Sequence, residues 1–215
     1  MQLTILGSGG CTIIPRPLCT CRICREARIK GEPYKRTGPS LFLKDINLLI
    51  DTPAESAYQL NRQGIKGVDH LMFTHLDPDH SEGFRVVEQM ILDFRTWRNY
   101  PGHTICLLLP EPLDKEIHKL QSVYGPFIDF YKQQGFVRCL TFRRHIKIKD
   151  INITAVQLEH EEQIVFIYVF EQGKRKVLYA PCDVKPFPEK QKEVQNADLM
   201  IIQPGIFETD LPFQF

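Results

Sequence analysis

The sequence predicts a single α/β domain over residues 1–215, and three observations carry that prediction. As far as Gln134, apolar runs of strand length, bounded by Gly, Pro and charged residues, alternate with stretches of helical periodicity. After Gly135 the pattern changes to closely spaced strands joined by short polar turns. One strand of the first series, Leu71-Met72-Phe73, runs into Thr74-His75-Leu76-Asp77-Pro78-Asp79-His80, which gathers four potential metal ligands within six residues. A chain of 215 residues can bury a sizeable core. Its 43% apolar and 25% charged residues are those of an ordinary soluble globular protein.

Taken in order, Met1 to Leu6 reads as a first strand leading into Gly7-Ser8-Gly9-Gly10, which is either a turn beside a site or a plain connection. The glycine spacing is not that of a dinucleotide fingerprint, and Pro15 and Pro17 exclude an immediate helix. Cys19-Thr20-Cys21-Arg22-Ile23-Cys24 follows. Three thiolates so close can converge on one zinc, completed by a His or Cys from elsewhere; the alternative is three separate buried thiols. Arg22, Arg25, Arg28 and Lys30 read as a solvated basic face.

Ser40 to Leu43 and Ile46 to Ile50 are two strands about a Lys44-Asp45 turn, and Ala54 to Gln63 is a helix that buries Ala57 and Leu60. Past the ligand-rich stretch, Glu82 to Trp97 shows the spacing of one long amphipathic helix, with Phe84, Val87, Met90, Ile91 and Phe94 inward. Thr104 to Leu109 is a buried strand and Pro110 to Gln134 mostly helix. Strands then follow at Phe136–Phe142, Ile146–Ile148, Ile151–Leu158, Ile164–Phe170, Val177–Ala180 and Leu199–Ile202, with a hairpin turn at Glu171-Gln172-Gly173-Lys174. Two single ligands stand at strand ends in this half, His160 and Asp183. His70, His103, His118 and His145 fall in helical or turn contexts and read as surface or partly buried packing residues.

A net charge of +1 gives no electrostatic case for nucleic acid or an anionic membrane. No segment approaches the roughly 20 apolar residues of a bilayer span, and no signal-type leader is evident, so secretion is not expected. Seven cysteines, three of them in metal-like spacing, fit a reducing cytoplasm better than a disulfide framework. At the carboxyl end of a buried strand a loop can turn several imidazoles and carboxylates towards one point. Such mixed nitrogen and oxygen donors suit zinc, iron or manganese. The plain alternative is a solvated turn that ends a strand.

The Thr-His-Leu-Asp-Pro-Asp-His stretch resembles the T-H-x-H-x-D-H signature of the metallo-β-lactamase superfamily. His160 and Asp183 match its third and fourth motifs, and the Gly-Ser-Gly-Gly turn and Leu49-Ile50-Asp51 strand end are similar to its members. The resemblance implies an αββα sandwich with metals at one edge. The Cys-x-Cys-x-x-Cys insert, at about residues 15–36, is similar to the cyclic phosphodiesterases of phosphonate degradation, where three Cys hold a structural zinc. A related insert occurs in a family of pyrroloquinoline quinone biosynthesis.

Carried over residue by residue, the resemblance gives a first metal to His75, Asp77 and His160, and a second to Asp79, His80 and a bridging Asp183. Cys19, Cys21 and Cys24 would hold the structural zinc. The implied activity is that of a metal-dependent hydrolase, a phosphodiesterase of small or cyclic phosphate esters using two divalent ions (zinc, manganese or iron), with Asp79 orienting or deprotonating the attacking water. Two departures stand out. Asp77 replaces the usual His, which hardens the site towards iron or manganese. The last histidine is His160, so the C-terminal His expected at the second metal and at the cysteine site is missing, and a longer natural protein is expected. The alternatives are a nuclease of the tRNA 3′-processing type, which needs a basic surface, and a non-catalytic metal-binding or sensor protein, which Asp77 favours. The expected partner is a small phosphate ester; a membrane is excluded, nucleic acid disfavoured and a homodimer left open.

Overall fold

The computed structural model describes residues 1–158, 163–182 and 184–203. Strand β1 (Leu3–Gly7) leads to helix α1 (Arg22–Lys30), β2 (Ser40–Leu43), β3 (Leu48–Ile50), α2 (Ser56–Arg62) and β4 (His70–Met72). Two short helices, α3 (Pro78–Ser81) and α4 (Val86–Ile91), precede a small hairpin, β5 (Leu92–Asp93) and β6 (Arg98–Asn99). Next come β7 (Ile105–Pro110), α5 (Glu111–Glu116), a second hairpin, β8 (Gln121–Ser122) and β9 (Gly125–Pro126), α6 (Phe127–Gln134) and β10 (Val137–Phe142). The later strands are β11 (His145–Ile148), β12 (Ile151–Gln157), β13 (Phe166–Gln172), β14 (Arg175–Ala180) and β15 (Leu199–Ile202).

The strands form two main sheets, one ordered β1-β2-β3-β4-β7-β10 and the other β11-β12-β13-β14-β15. In the first sheet β3, β4, β7 and β10 run parallel to one another, while β1, β2 and β3 pair antiparallel. Every residue of β2, β3 and β7 is buried, as expected of strands covered on both faces, and that is why they read as unbroken apolar runs. The second sheet sorts its residues by the strand period of two: Phe166, Tyr168 and Phe170 join the main core, whereas Ile167 and Val169 face a smaller cluster with Val156, Leu178 and Val194. The main core also takes Leu60, Val87, Ile91, Leu113, Ile128 and Tyr131 from α2, α4, α5 and α6. The outer face of the second sheet is covered by irregular chain carrying Val184, Phe187, Val194 and Ala197, with no helix among the described residues of that segment.

Three expectations are corrected. The helix expected to reach Trp97 stops at Ile91, because the Asp93 carboxylate accepts hydrogen bonds from the Arg95 backbone and guanidinium at 3.0 Å and so offers the chain a local turn instead of another helical one. Phe94 and Trp97, at 73% and 65% exposed, stand on that hairpin outside the core. The segment from Pro110 to Gln134 is broken by the β8–β9 hairpin, which turns through Gly125 at φ +94°. Helix α1 was not anticipated; it starts at Arg22, far enough past Pro15 and Pro17 to escape their effect. His70 and His145 also lie in strands, where each ring has a neighbouring oxygen acceptor, Ile46 O at 2.8 Å and Thr154 Oγ1 at 3.0 Å. No helix among the described residues is long and apolar enough to cross a membrane.

The two sheets are joined by hydrogen bonds as well as by packing. The fully buried Tyr168 hydroxyl donates to Phe73 O at 2.6 Å, and Phe166 N donates to Thr74 O at 2.8 Å. Replacing Tyr168→Phe removes the first bond and leaves a buried carbonyl short of a donor. Such a loss costs about 1–3 kcal/mol, expected as a lower urea midpoint at unchanged m-value.

Candidate metal centre

Strand β4 lies inside its sheet between β3 and β7, so the chain leaves Met72 at a buried position and continues through Phe73, Thr74 and His75, all at most 1% exposed. Beside it β3 ends at Asp51, whose N–H donates to Met72 O at 2.9 Å. Asp51 has φ +61°, a left-handed conformation that an L-residue adopts at a cost, and it turns its carboxylate under the start of the next loop. That carboxylate accepts from Thr74 N at 2.7 Å and from Thr74 Oγ1 at 2.8 Å, and lies 3.0 Å from His80 Nδ1.

The return of the chain to His80 is set by α3. Asp77 stands at its N-cap and Pro78 at its first turn, where a missing N–H costs nothing. The single turn brings the His80 ring to 3.9 Å from the His75 ring, centroid to centroid. His80 O accepts from Thr52 N at 2.7 Å, and Gly83 N donates to Thr52 O at 2.8 Å. A Cβ at Gly83 would fall 2.0 Å from Pro53 O, so only glycine lets the two backbones come this close.

These hydrogen bonds fix the imidazole tautomers. The Thr74 hydroxyl gives its one proton to Asp51, so it accepts from His75 Nδ1, 3.1 Å away. His80 Nδ1 likewise has Asp51 Oδ2 and Thr74 Oγ1, at 3.0 and 3.2 Å, as acceptors. With Nδ1 protonated, each ring presents Nε2 as its donor to a metal, the arrangement in which a carboxylate orients a ligating His. Burial pulls the His80 pKa down, but the Asp51 carboxylate, with Asp79 and Asp77 beyond it, raises it above the ordinary histidine value.

The residues singled out from the sequence meet here to different degrees. His75 and His80 are buried. Asp79, 19% exposed at its side chain, has Oδ2 3.5 Å from His80 Nε2. Asp77 is 46% exposed, with Oδ2 3.7 Å from His75 Nε2. His160 and Asp183 lie outside the described residues. His80 Nε2 and Asp79 Oδ2 are buried with no hydrogen-bond partner among the described residues, which is how donors prepared for a cation look in its absence. Sequence reasoning missed Cys182. One ligand atom each from His75, His80 and Cys182 lie within 4.8 Å of one another. The available signal was its place beside Asp183, just past the end of β14.

The second expected cluster also forms. Cys19, Cys21 and Cys24 bring their sulfurs within 4.8 Å of one another. Cys21 caps α1, its Sγ accepting from Cys24 N at 3.4 Å, and Cys24 Sγ accepts from Arg16 N at 3.3 Å. The Cys24 N–H, with help from Cys19, lowers the Cys21 thiol pKa to about 7, while burial raises that of Cys24. The Gly7-Ser8-Gly9-Gly10 run packs against Thr37 and Gly38: a Cβ on Gly7 would lie 1.9 Å from Gly38 O, and Gly9 N donates to Thr37 O. Close backbone packing is therefore what these glycines serve.

The fold is shared by several solved proteins. A diphosphatase from the PhnP family is 24% identical, with a TM-score of 0.63 over 83% of this chain and 63% of that one. Zinc-bound PqqB from Methylobacterium extorquens is 14% identical, with a TM-score of 0.67 over 94% and 72% of the two chains. The metallo-beta-lactamase fold protein YhfI from Bacillus subtilis is 15% identical, with a TM-score of 0.58 over 92% and 68%. At these identities the likeness is one of fold. An octanoyltransferase of Porphyromonas gingivalis is 34% identical over 86 residues, which are 39% of this chain and only 17% of that protein. Over residues 46–213, a span that holds β3, β4, the ligand loop and Cys182, the chain matches the family model of the beta-lactamase superfamily domain, and it belongs to that superfamily.

Proposed function

We propose that the protein is a metal-dependent hydrolase acting on small or cyclic phosphate esters. The observation that carries the reading is the pair of buried donors, His80 Nε2 and Asp79 Oδ2, 3.5 Å apart, without a hydrogen-bond partner among the described residues, and set beside His75 and the Asp51–Thr74 network. The superfamily consists mostly of hydrolases, and the diphosphatase of like fold inclines the substrate towards a phosphate ester. Nitrogen and oxygen donors of this kind fit a divalent ion.

A bound divalent ion supplies a lowered pKa for water and a counter-charge for the phosphoryl oxygens. This chain's residues do the rest. His75 and His80 hold their Nε2 atoms in place through Thr74 and Asp51. Asp79, partly exposed and with Oδ2 3.5 Å from His80 Nε2, is placed to accept the proton of the attacking water. Asp77 stands beside His75, near enough to join the ligands after a small side-chain movement. The two-ion assignment adds His160 and Asp183, and a structural zinc belongs at Cys19, Cys21 and Cys24.

The full chain, loaded with zinc, manganese or iron, is expected to hydrolyse bis(p-nitrophenyl) phosphate or cyclic mononucleotides, and a chelator to abolish turnover. Inactivity on every ester with all three metals overturns the substrate class. Asp51→Asn tests the centre separately: loss of the carboxylate behind His80 is expected to weaken metal binding by about 10–100-fold, measured by chelator competition on protein with unchanged circular dichroism.

A further inference from the structure

We infer that Cys182 is a metal ligand of the centre at His75 and His80, its thiolate joining the imidazoles there and selecting zinc over manganese. The geometry comes from both sheets. His75 and His80 are carried by the loop after β4, and Cys182 by the chain just past β14. Strand β14 is paired with β13 through Tyr168 and Tyr179, and Tyr168 is itself bonded to Phe73. The end of β14 is thereby brought to the end of β4, and the sulfur to the two imidazoles.

Zinc–nitrogen bonds of about 2.0–2.1 Å and a zinc–sulfur bond of about 2.3 Å, at tetrahedral angles, place such donors about 3.4–3.6 Å apart. One donor atom from each of the three residues already lies within 4.8 Å of the others, a little over that spacing. The buried His80 Nε2, with no hydrogen-bond partner among the described residues, points independently to a cation at this place. Cys182 is half-buried and in no disulfide. On binding, the thiol gives its proton to solvent and the sulfur lone pair to the ion.

The chemical consequence concerns which metal is held. The carboxylates Asp77 and Asp79 harden the centre towards manganese or iron. A thiolate is soft and favours zinc, cobalt or cadmium. Of these opposed influences, the half-exposed Asp77 lies outside the three-donor group and Cys182 inside it, so the sulfur decides. The inference rests on the proposed metal centre but not on the proposed substrate.

Cadmium NMR of the full chain tests it, since a sulfur ligand moves the cadmium resonance far downfield of an all-nitrogen and oxygen site. One resonance is expected from the three-cysteine cluster, and a second, from the ion held by Cys182, at a position between pure sulfur and pure nitrogen–oxygen ligation. In Cys182→Ser the second moves upfield while the first stays, and the zinc-to-manganese affinity ratio falls by more than about tenfold, since loss of even a ligand's supporting partner costs that much. Resonances of the histidine centre that all lie in the nitrogen–oxygen range in the unaltered chain overturn the ligand assignment without any variant. An unchanged resonance and an unchanged metal preference in Cys182→Ser overturn it equally. Absence of cadmium from the histidines altogether overturns the metal centre itself, whereas a cadmium–sulfur signal without ester hydrolysis removes only the substrate.

Discussion

A carboxylate with no exposed surface sits between two strand ends, and the centre is organised by what it must be given in return. An uncompensated buried charge costs several kcal/mol, so Asp51 has to be met by donors. It meets three: the Thr74 N–H, the Thr74 hydroxyl and His80 Nδ1. The left-handed backbone that aims it there costs on the order of 1–3 kcal/mol. The parallel pairing of β3 with β4, continued by the Asp51 N–H to Met72 O, holds that conformation. Satisfying the charge also does the chemical work, because the same donors set the tautomers of both histidines.

The rest of the architecture serves to keep water out of this arrangement. Strands buried at every residue flank β4, and aromatic residues of the second sheet close the core beneath it. At the ligand loop the chain from Leu76 to Asp79 keeps some exposure while His75 and His80 are buried, which marks the direction from which solvent and any substrate reach it.

Much of this could be read from the chain. Continuous apolar runs gave β2, β3 and β7, because strands covered on both faces leave few polar positions to blur the pattern. The ligand loop was legible because its residue types are rarely spent together on a turn. The helix past Ile91 was misread because Phe94 falls at the right spacing but on a hairpin that Asp93 and Arg95 close through their side chains, a contest that periodicity does not register. Helix α1 was hidden because its N-cap is a cysteine and its charge suggested only a solvated face. Cys182 escaped notice for a different reason: its partners lie in the other sheet, and its place beside Asp183 was the one local sign.

The Tyr168–Phe73 bond joins residues 95 positions apart. Contacts of such separation form only after the intervening chain has been gathered, since loop closure must precede any return from them. His75 and His80 are carried by the first sheet and Cys182 by the second, so these donors meet only when the two sheets have docked. The centre is thus a late product of folding, and the newly made chain passes through a stage in which its thiols and imidazoles are present but not yet assembled. A cation met at that stage finds loose ligands; one met afterwards finds a shaped site.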